Sequence, residues 1–303
     1  MRTEGVRKGL YVGPVAAQRE PVPTKGNLMT ILVTGATGTV GRRVVEQLLE
    51  RGEHVRALTR DPARAEFPDG VDVVAGDLTD PGSLGAALDG VSGLHLITFG
   101  GELFAPLETG EEILALARKA GVRRVTVLHG GGETPMEAAV RASDFAWAVV
   151  MPVEFMANAL EWAPGIRSEG VVREPFVSRL SAMVHEADIG AVAAAALTED
   201  GHGGQEYLIT GPQALTVADK TAAIAAARGA DVELVELTEE QALEAWRGQG
   251  MPEDVIAFLI DVYRDTPAEG RTVIDTVEKV TGRPARTFAQ WAQEHADHFR
   301  AGA

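Results

Sequence analysis

A chain of 303 residues is long enough to bury a large core, and 45% hydrophobic residues give it the material to do so. Its net charge of −16 repels phosphate backbones and anionic lipid, and 5% aromatic residues are too few for a nucleic-acid stacking platform. With no cysteine, the chain has no disulfide, no thiolate nucleophile and no cysteine-held metal, so no metal site is expected.

No apolar run approaches the roughly 20 residues of a membrane span. The expectation is a cytoplasmic protein acting on a small molecule, with neither nucleic acid nor membrane as partner. Its oligomeric state cannot be read from the sequence. Residues 1–28 carry five cationic side chains (Arg2, Arg7, Lys8, Arg19, Lys25) against two carboxylates, Glu4 and Glu20. They also hold three prolines and no amphipathic period, and so read as a flexible N-terminal extension, with the folded protein starting near Met29.

From Met29 the pattern predicts strand and helix in alternation. Thr30–Thr34 is a short β-branched run. Val40, Val44, Val45, Leu48 and Leu49 then share one helical face, closed by Arg51 and Gly52. Strands are predicted at His54–Thr59 and Val71–Ala75, a short helix at Pro81–Leu88 and a strand at Leu94–Thr98. A helix over Leu107–Ala120, a strand over Arg124–His129, a helix over Met136–Ala142 and a strand over Trp147–Met151 follow. Repeated βα units imply an α/β fold: a doubly wound parallel Rossmann sheet with helices on both faces. After Pro152 the order breaks down. Helices are predicted at Ile189–Leu197, Val217–Arg228, within 239–264 and at Thr287–Phe299, with short strands at Glu206–Thr210 and Val232–Leu237. The expected organisation is a cofactor-binding domain at 29–152. Residues 153–303 then form a smaller, mostly helical substrate cap, with some segments returning to the core.

The sequence ILVTGATGTVGRRVVEQLL puts Gly35, Gly38 and Gly41 between the first strand and the first helix. Gly35 permits the sharp turn, Gly38 lets backbone approach a pyrophosphate, and Gly41 lets the helix pack close to the sheet. The free amides at the helix start then offer partial positive charge to phosphates, which suits an acidic protein. Gly35, Thr37, Gly38, Thr39, Val40 and Gly41 are therefore the expected diphosphate site. A carboxylate about 20 residues past the glycines would bind the 2′-hydroxyl of NAD. This second strand ends Leu58-Thr59-Arg60 instead, and Arg60 can grip a 2′-phosphate through a fork of hydrogen bonds, with Arg64 assisting. NADP(H) is the expected cofactor, with NAD(H) as the alternative in which both arginines are solvated and Asp61 is their partner. Asp77 and Leu78 suit the adenine edge, or are simply a turn residue and a core leucine.

At this point the sequence resembles the NmrA-like branch of the atypical short-chain dehydrogenases. GATGTVG, TRDPARA, GDLTDPGSL, VLHGGG, VVMPVEFMANALEW, HEADIGAVAAAALTE, GQEYLITGPQALTVAD and GRPARTFAQWAQEHA carry the resemblance, which covers nearly everything from Met29 on. Members of that family bind NADP(H) or NAD(H). Some reduce quinones, azo dyes or ketones, including those of aromatic polyketides; others sense redox state without catalysis. The resemblance implies that Thr98, Phe99 and His129 stand beside the cofactor, His129 where most relatives have serine. It implies that Pro152, Val153, Glu154 and Phe155 run along the nicotinamide. Phe155, Met156, Asn158 and Trp162 would line the substrate cavity.

Most short-chain dehydrogenases use a tyrosine four residues before a lysine as proton donor. Tyr11, Tyr207 and Tyr263 are the only tyrosines, and Val15, Gly211 and Pro267 stand four places on, so the pair is absent. The corresponding region reads GGETPMEAAVRAS. The expected proton donor is His129, since an imidazole can donate near neutral pH; alternatively His129 merely closes the strand or touches cofactor. A quinone, or a ketone hydrogen-bonded to a phenol, demands less acid assistance. The expected activity is therefore NADPH-dependent hydride transfer to a quinone or ketone of an aromatic small molecule. The alternative is a non-catalytic NADP(H) sensor; a nucleotide-sugar epimerase ranks last. Trp162, Phe258 and Tyr263 also fit a hydrophobic core. His295 and His298 fit a solvated helix face better than a metal site. Glu239 and Glu240 suit a helix start, and Asp188 a tie between cap and sheet.

Overall fold

Short β-branched runs become strands here because, paired side by side, they give helices a sheet on which to bury apolar surface. β1 (Thr30–Val33) leads into α1 (Thr39–Glu50), β2 (His54–Thr59), β3 (Val71–Ala75) and β4 (Gly93–Leu96). α2 (Gly110–Ala120), β5 (Arg124–Leu128), α3 (Pro135–Arg141) and β6 (Ala146–Pro152) follow. The computed structural model describes residues 29–101 and 105–300, so the reading of residues 1–28 lies outside it.

Beyond β6 the chain leaves the sheet through a 3₁₀ turn at Met156–Trp162, α4 (Ala163–Glu169) and β7 (Val171–Pro175). It returns with α5 (Glu186–Thr198) and β8 (Gln205–Ile209). It ends with α6 (Val217–Arg228), β9 (Glu233–Leu237), α7 (Glu239–Gly248), α8 (Glu253–Arg264), α9 (Thr276–Thr281) and α10 (Phe288–Glu294).

Seven strands form one parallel sheet in the order β8-β6-β5-β4-β1-β2-β3. Chain order reverses between β1 and β4, and a doubly wound sheet opens a ligand crevice at the carboxyl ends there. β7 and β9 pair separately, in parallel. One face of the large sheet is covered by α2 and α3 through Ile113, Leu114, Met136 and Val140. The other is covered by α1 and α5 through Val44, Leu48, Ile189 and Val192. The cap has its own core around Ile166, Ile224, Phe288 and Trp291.

α5 is buried along its whole run from Ile189 to Leu197, which explains why its sequence is alanine-rich rather than amphipathic. Asp188, itself buried, accepts the Arg286 N–H at 2.7 Å and pairs with the Arg286 guanidinium, tying the C-terminal segment to α5. Glu239 and Glu240 do open α7, behind the Thr238 cap.

Several boundaries shift for local reasons. The fourth strand stops at Leu96, because the Ile97 N–H turns to the Thr34 hydroxyl at 3.0 Å. α2 starts only at Gly110, because the Leu107 N–H is spent on the Thr98 carbonyl at 2.9 Å. The last helix breaks at His295 and resumes as a 3₁₀ turn over Ala296–Phe299. Phe258, read as a core candidate, is 59% exposed on α8.

Candidate functional site

The glycine loop does at atomic level what its spacing asks. Gly35 has φ +59, a left-handed conformation, and a Cβ there would stand 2.7 Å from the Ile97 Cγ2. The Gly38 N–H closes the turn on the Gly35 carbonyl at 2.9 Å. α1 then begins with no side-chain cap and no carboxylate in its first turn. The Arg42 N–H, bonded to the Gly38 carbonyl at 3.1 Å, is the first to close the helix. The amides before it face an anion-ready terminus.

A groove of about 660 Å³ runs across the carboxyl ends of the strands. One wall is the start of α1, with Gly35, Thr37, Gly38, Thr39, Val40 and Gly41. At one end lie Arg60, Asp61 and Arg64 after β2 and Asp77 and Leu78 after β3; towards the other lie Ile97, Phe99, Leu128 and Phe155. Phosphate-suited amides, cationic groups and an apolar end thus share one crevice.

Arg60 and Arg64 are both exposed, and neither guanidinium has a hydrogen-bond or ion-pair partner among the described residues. Asp61 is not their counter-ion: its carboxylate accepts the Ala63 N–H at 3.2 Å and caps a 3₁₀ turn. Asp77 is locked, accepting the Thr79 N–H at 2.9 Å and the Thr79 hydroxyl at 2.8 Å. The Thr79 N–H, helped by the Thr79 hydroxyl and the nearby Arg60 charge, holds the Asp77 carboxyl below its usual range against burial. The Leu78 carbonyl is fixed by the Thr109 hydroxyl at 2.6 Å.

Other expected residues lie around the groove rather than on its wall. Thr98 is buried behind it, its hydroxyl donating to the Leu128 carbonyl at 3.3 Å. Pro152 and Val153 stand where β6 leaves the sheet, with the Val153 N–H on the Ile209 carbonyl at 3.1 Å. Met156 is packed in the cap core, 1% exposed, because its N–H and side chain are both drawn under the Val184 and Gly211 backbone. Asn158 is exposed, and Trp162 gives its indole N–H to Glu174 at 2.7 Å.

His129 closes β5, its N–H on the Val150 carbonyl at 2.8 Å. Its ring Nδ1 lies 2.5 Å from the Glu137 Oε1. Sequence reasoning did not single out Glu137. The signal present was TPME at Thr134–Glu137, a capping-box spacing that marks a helix start and nothing more.

The residue next to Phe155 is the hub of a buried charge cluster. Glu154 faces Arg179 at 3.4 Å and Lys220 at 3.9 Å. Burial opposes its charge, but Lys220 and Arg179 outweigh it and hold its carboxyl below the usual range. Burial pushes the Lys220 amine down to about 8, while its Nζ donates to the Ser181 hydroxyl at 2.6 Å. Arg179 lies over the Tyr263 ring at 3.7 Å. The cluster pins the chain that carries Phe155 to the cap.

Among the described residues no cluster of His, Asp and Glu is arranged to hold a metal ion. Nor is any helix among them long and apolar enough to cross a membrane.

A switch-point groove with a bare helix start defines a dinucleotide-binding Rossmann protein. Residues 35–136 match the family model described as NAD(P)H-binding. The chain is 39% identical over 291 residues to the NAD(P)H azoreductase of Xenophilus azovorans, spanning 89% of this chain and 99% of that one. It is 40% identical over 284 residues to the (4-alkanoyl-5-oxo-2,5-dihydrofuran-3-yl)methyl phosphate reductase of Streptomyces griseus, again 89% and 99%. Its fold is similar to that of the NADPH-dependent quinone oxidoreductase of Escherichia coli complexed with NADPH. That likeness has TM-score 0.73 and 25% identity, covering 88% of this chain and 99% of that one. The chain belongs to the NmrA-like family of atypical short-chain dehydrogenases and reductases, and is an NAD(P)H-dependent reductase.

Proposed function

We propose that this reductase uses NADPH to reduce a quinone, or a ketone, of an aromatic small molecule. The observation that carries the reading is the pairing, in one groove, of uncommitted Arg60 and Arg64 with an apolar end formed by Phe99, Leu128 and Phe155. Bound NADPH supplies a hydride to the acceptor. The amides of Gly38 to Gly41 hold its diphosphate, Arg60 and Arg64 hold the 2′-phosphate, and Asp77 and Leu78 border the adenine. Phe99, Phe155 and Val153 exclude water and hold the acceptor against the nicotinamide, where positioning supplies much of the rate. Asn158 and Trp162, from the segment after Phe155, border the acceptor on the cap side.

His129 is the proton donor in this reading. With no Tyr-x-x-x-Lys pair in the chain, acceptors that need little acid help are favoured, and a quinone oxygen becomes a phenol on reduction. The activity named for the quinone oxidoreductase relative points to the same acceptor class. The test is a panel of menadione and aromatic polyketide ketones with purified protein, following nicotinamide oxidation. Turnover with at least one acceptor, faster with NADPH than with NADH, is the expected result. Tight NADPH binding without any turnover would overturn it and favour a non-catalytic NADP(H) sensor, the reading that the missing pair also permits.

A further inference from the structure

Glu137 is fully buried, and capping its helix uses only half of it. The Oε2 accepts the Thr134 N–H and the Thr134 hydroxyl, each at 2.9 Å. The Oε1 is left over and meets the His129 Nδ1 at 2.5 Å. A helix start needs no histidine on its third residue.

The rest of the imidazole is equally constrained. Its backbone is pinned to β6 through Val150. Its side chain is 19% exposed, and Nε2 has no hydrogen-bond partner among the described residues. The next residue, Gly130, lies against Phe99: a Cβ there would stand 2.0 Å from the Phe99 Cε2. Phe99 and Leu128, the residue before His129, line the groove, so His129 adjoins the groove's apolar end without forming its wall. Arg141, on α3, makes its direct pairs with Glu133 at 3.2 Å and Glu206 at 2.7 Å and feels Glu137 only at longer range, so among the described residues His129 is the ionisable group in direct contact with the Glu137 carboxylate.

We infer that Glu137 is a positioning residue: it holds His129 as the Nδ1–H form, so that Nε2 is the nitrogen that delivers a proton to the acceptor. The inference rests on the proton-donor role of His129 proposed above. In the step, the acceptor carbonyl carbon would gain hydrogen and an electron pair as the hydride that NADPH supplies in becoming NADP+, and the carbonyl π bond breaks onto oxygen. That oxygen takes the proton from Nε2–H of the imidazolium. The ring becomes neutral, keeps its Nδ1–H on Glu137, and is reprotonated by water. Which ring nitrogen carries a proton is set by what the other nitrogen bonds to.

The test is Glu137→Gln, because glutamine also serves at this capping position and preserves the helix start. With the fastest acceptor of the panel, kcat is expected to fall about 10-fold or more, with KM and the NADPH Kd unchanged. In a His129→Ala background the same substitution should cost nothing further, since Glu137 acts only through His129. Without cofactor, the His129 Nδ1–H should give a downfield proton resonance that vanishes in both single variants. Wild-type kcat in Glu137→Gln, additive losses in the double variant, or absence of the resonance overturns the role of Glu137 while His129 stands. Full turnover in His129→Ala overturns the donor reading itself, and this inference with it.

Discussion

A Cβ on Gly41 would stand 2.1 Å from the Gly35 carbonyl oxygen, so α1 rests directly on the turn that launches it. No side chain fits without lifting the helix start and its amides off the diphosphate position. Gly41→Ala is expected to lower stability by about 1–3 kcal/mol, the usual cost of overpacking. It should also weaken NADPH binding at least about 10-fold, the loss of a single charge-assisted hydrogen bond. Thermal melts and calorimetry check both. Unchanged affinity would mean that the amides are not the grip.

Arg60→Ala should weaken NADPH about 10- to 100-fold, as expected for one hydrogen-bonded charge, and NADH hardly at all. Arg64→Ala should do the same to a smaller degree. Equal losses for the two dinucleotides would refute a 2′-phosphate role.

His95 on β4 is fully buried, its Nδ1 2.8 Å from the Thr126 hydroxyl on β5 and its Nε2 without a partner among the described residues. Burial pushes its imidazole from 6.5 down to about 4. Between those values the unfolded chain binds the proton and the folded chain does not, so stability rises with pH through that window. The contribution is complete above 6.5 and is lost as pH falls towards 4, on the order of 3 kcal/mol in all. Denaturant titrations at a series of pH values should show this slope flattened in His95→Leu. Parallel curves for the two proteins would assign acid sensitivity elsewhere.

Asp188→Asn removes the charge facing Arg286 and weakens the bond to the Arg286 N–H. A loss of about 2–4 kcal/mol is expected, because a partner is taken from a pair buried at the carboxylate end. If the melting temperature stays at the wild-type value, the C-terminal segment is held by packing alone.

The nucleotide-binding half was legible because its signals are local. β2 and β3 fall on the predicted residues, His54–Thr59 and Val71–Ala75, and the glycine spacing located the groove. The cap was less legible because its order comes from partners distant in sequence. β7 exists as a strand through pairing with β9, some sixty residues on, and α4 is only seven residues long. Met156 reads like a cavity residue until Gly211 and Val184 close over it. The partner of His129 was hidden for another reason. Glu137 occupies a spacing fully accounted for by helix capping, so nothing in the residue order marks its second oxygen.

The return of the chain through α5 and β8 has a consequence for dissection. β8 covers the outer edge of β6, and α5 lies on the apolar face of α1. A fragment stopped at Pro152 would expose the apolar strand AWAVVMP as an open template and strip α1 of its neighbour, inviting aggregation. Excision of the Rossmann part at Pro152 is therefore expected to give an aggregating fragment rather than a stable module.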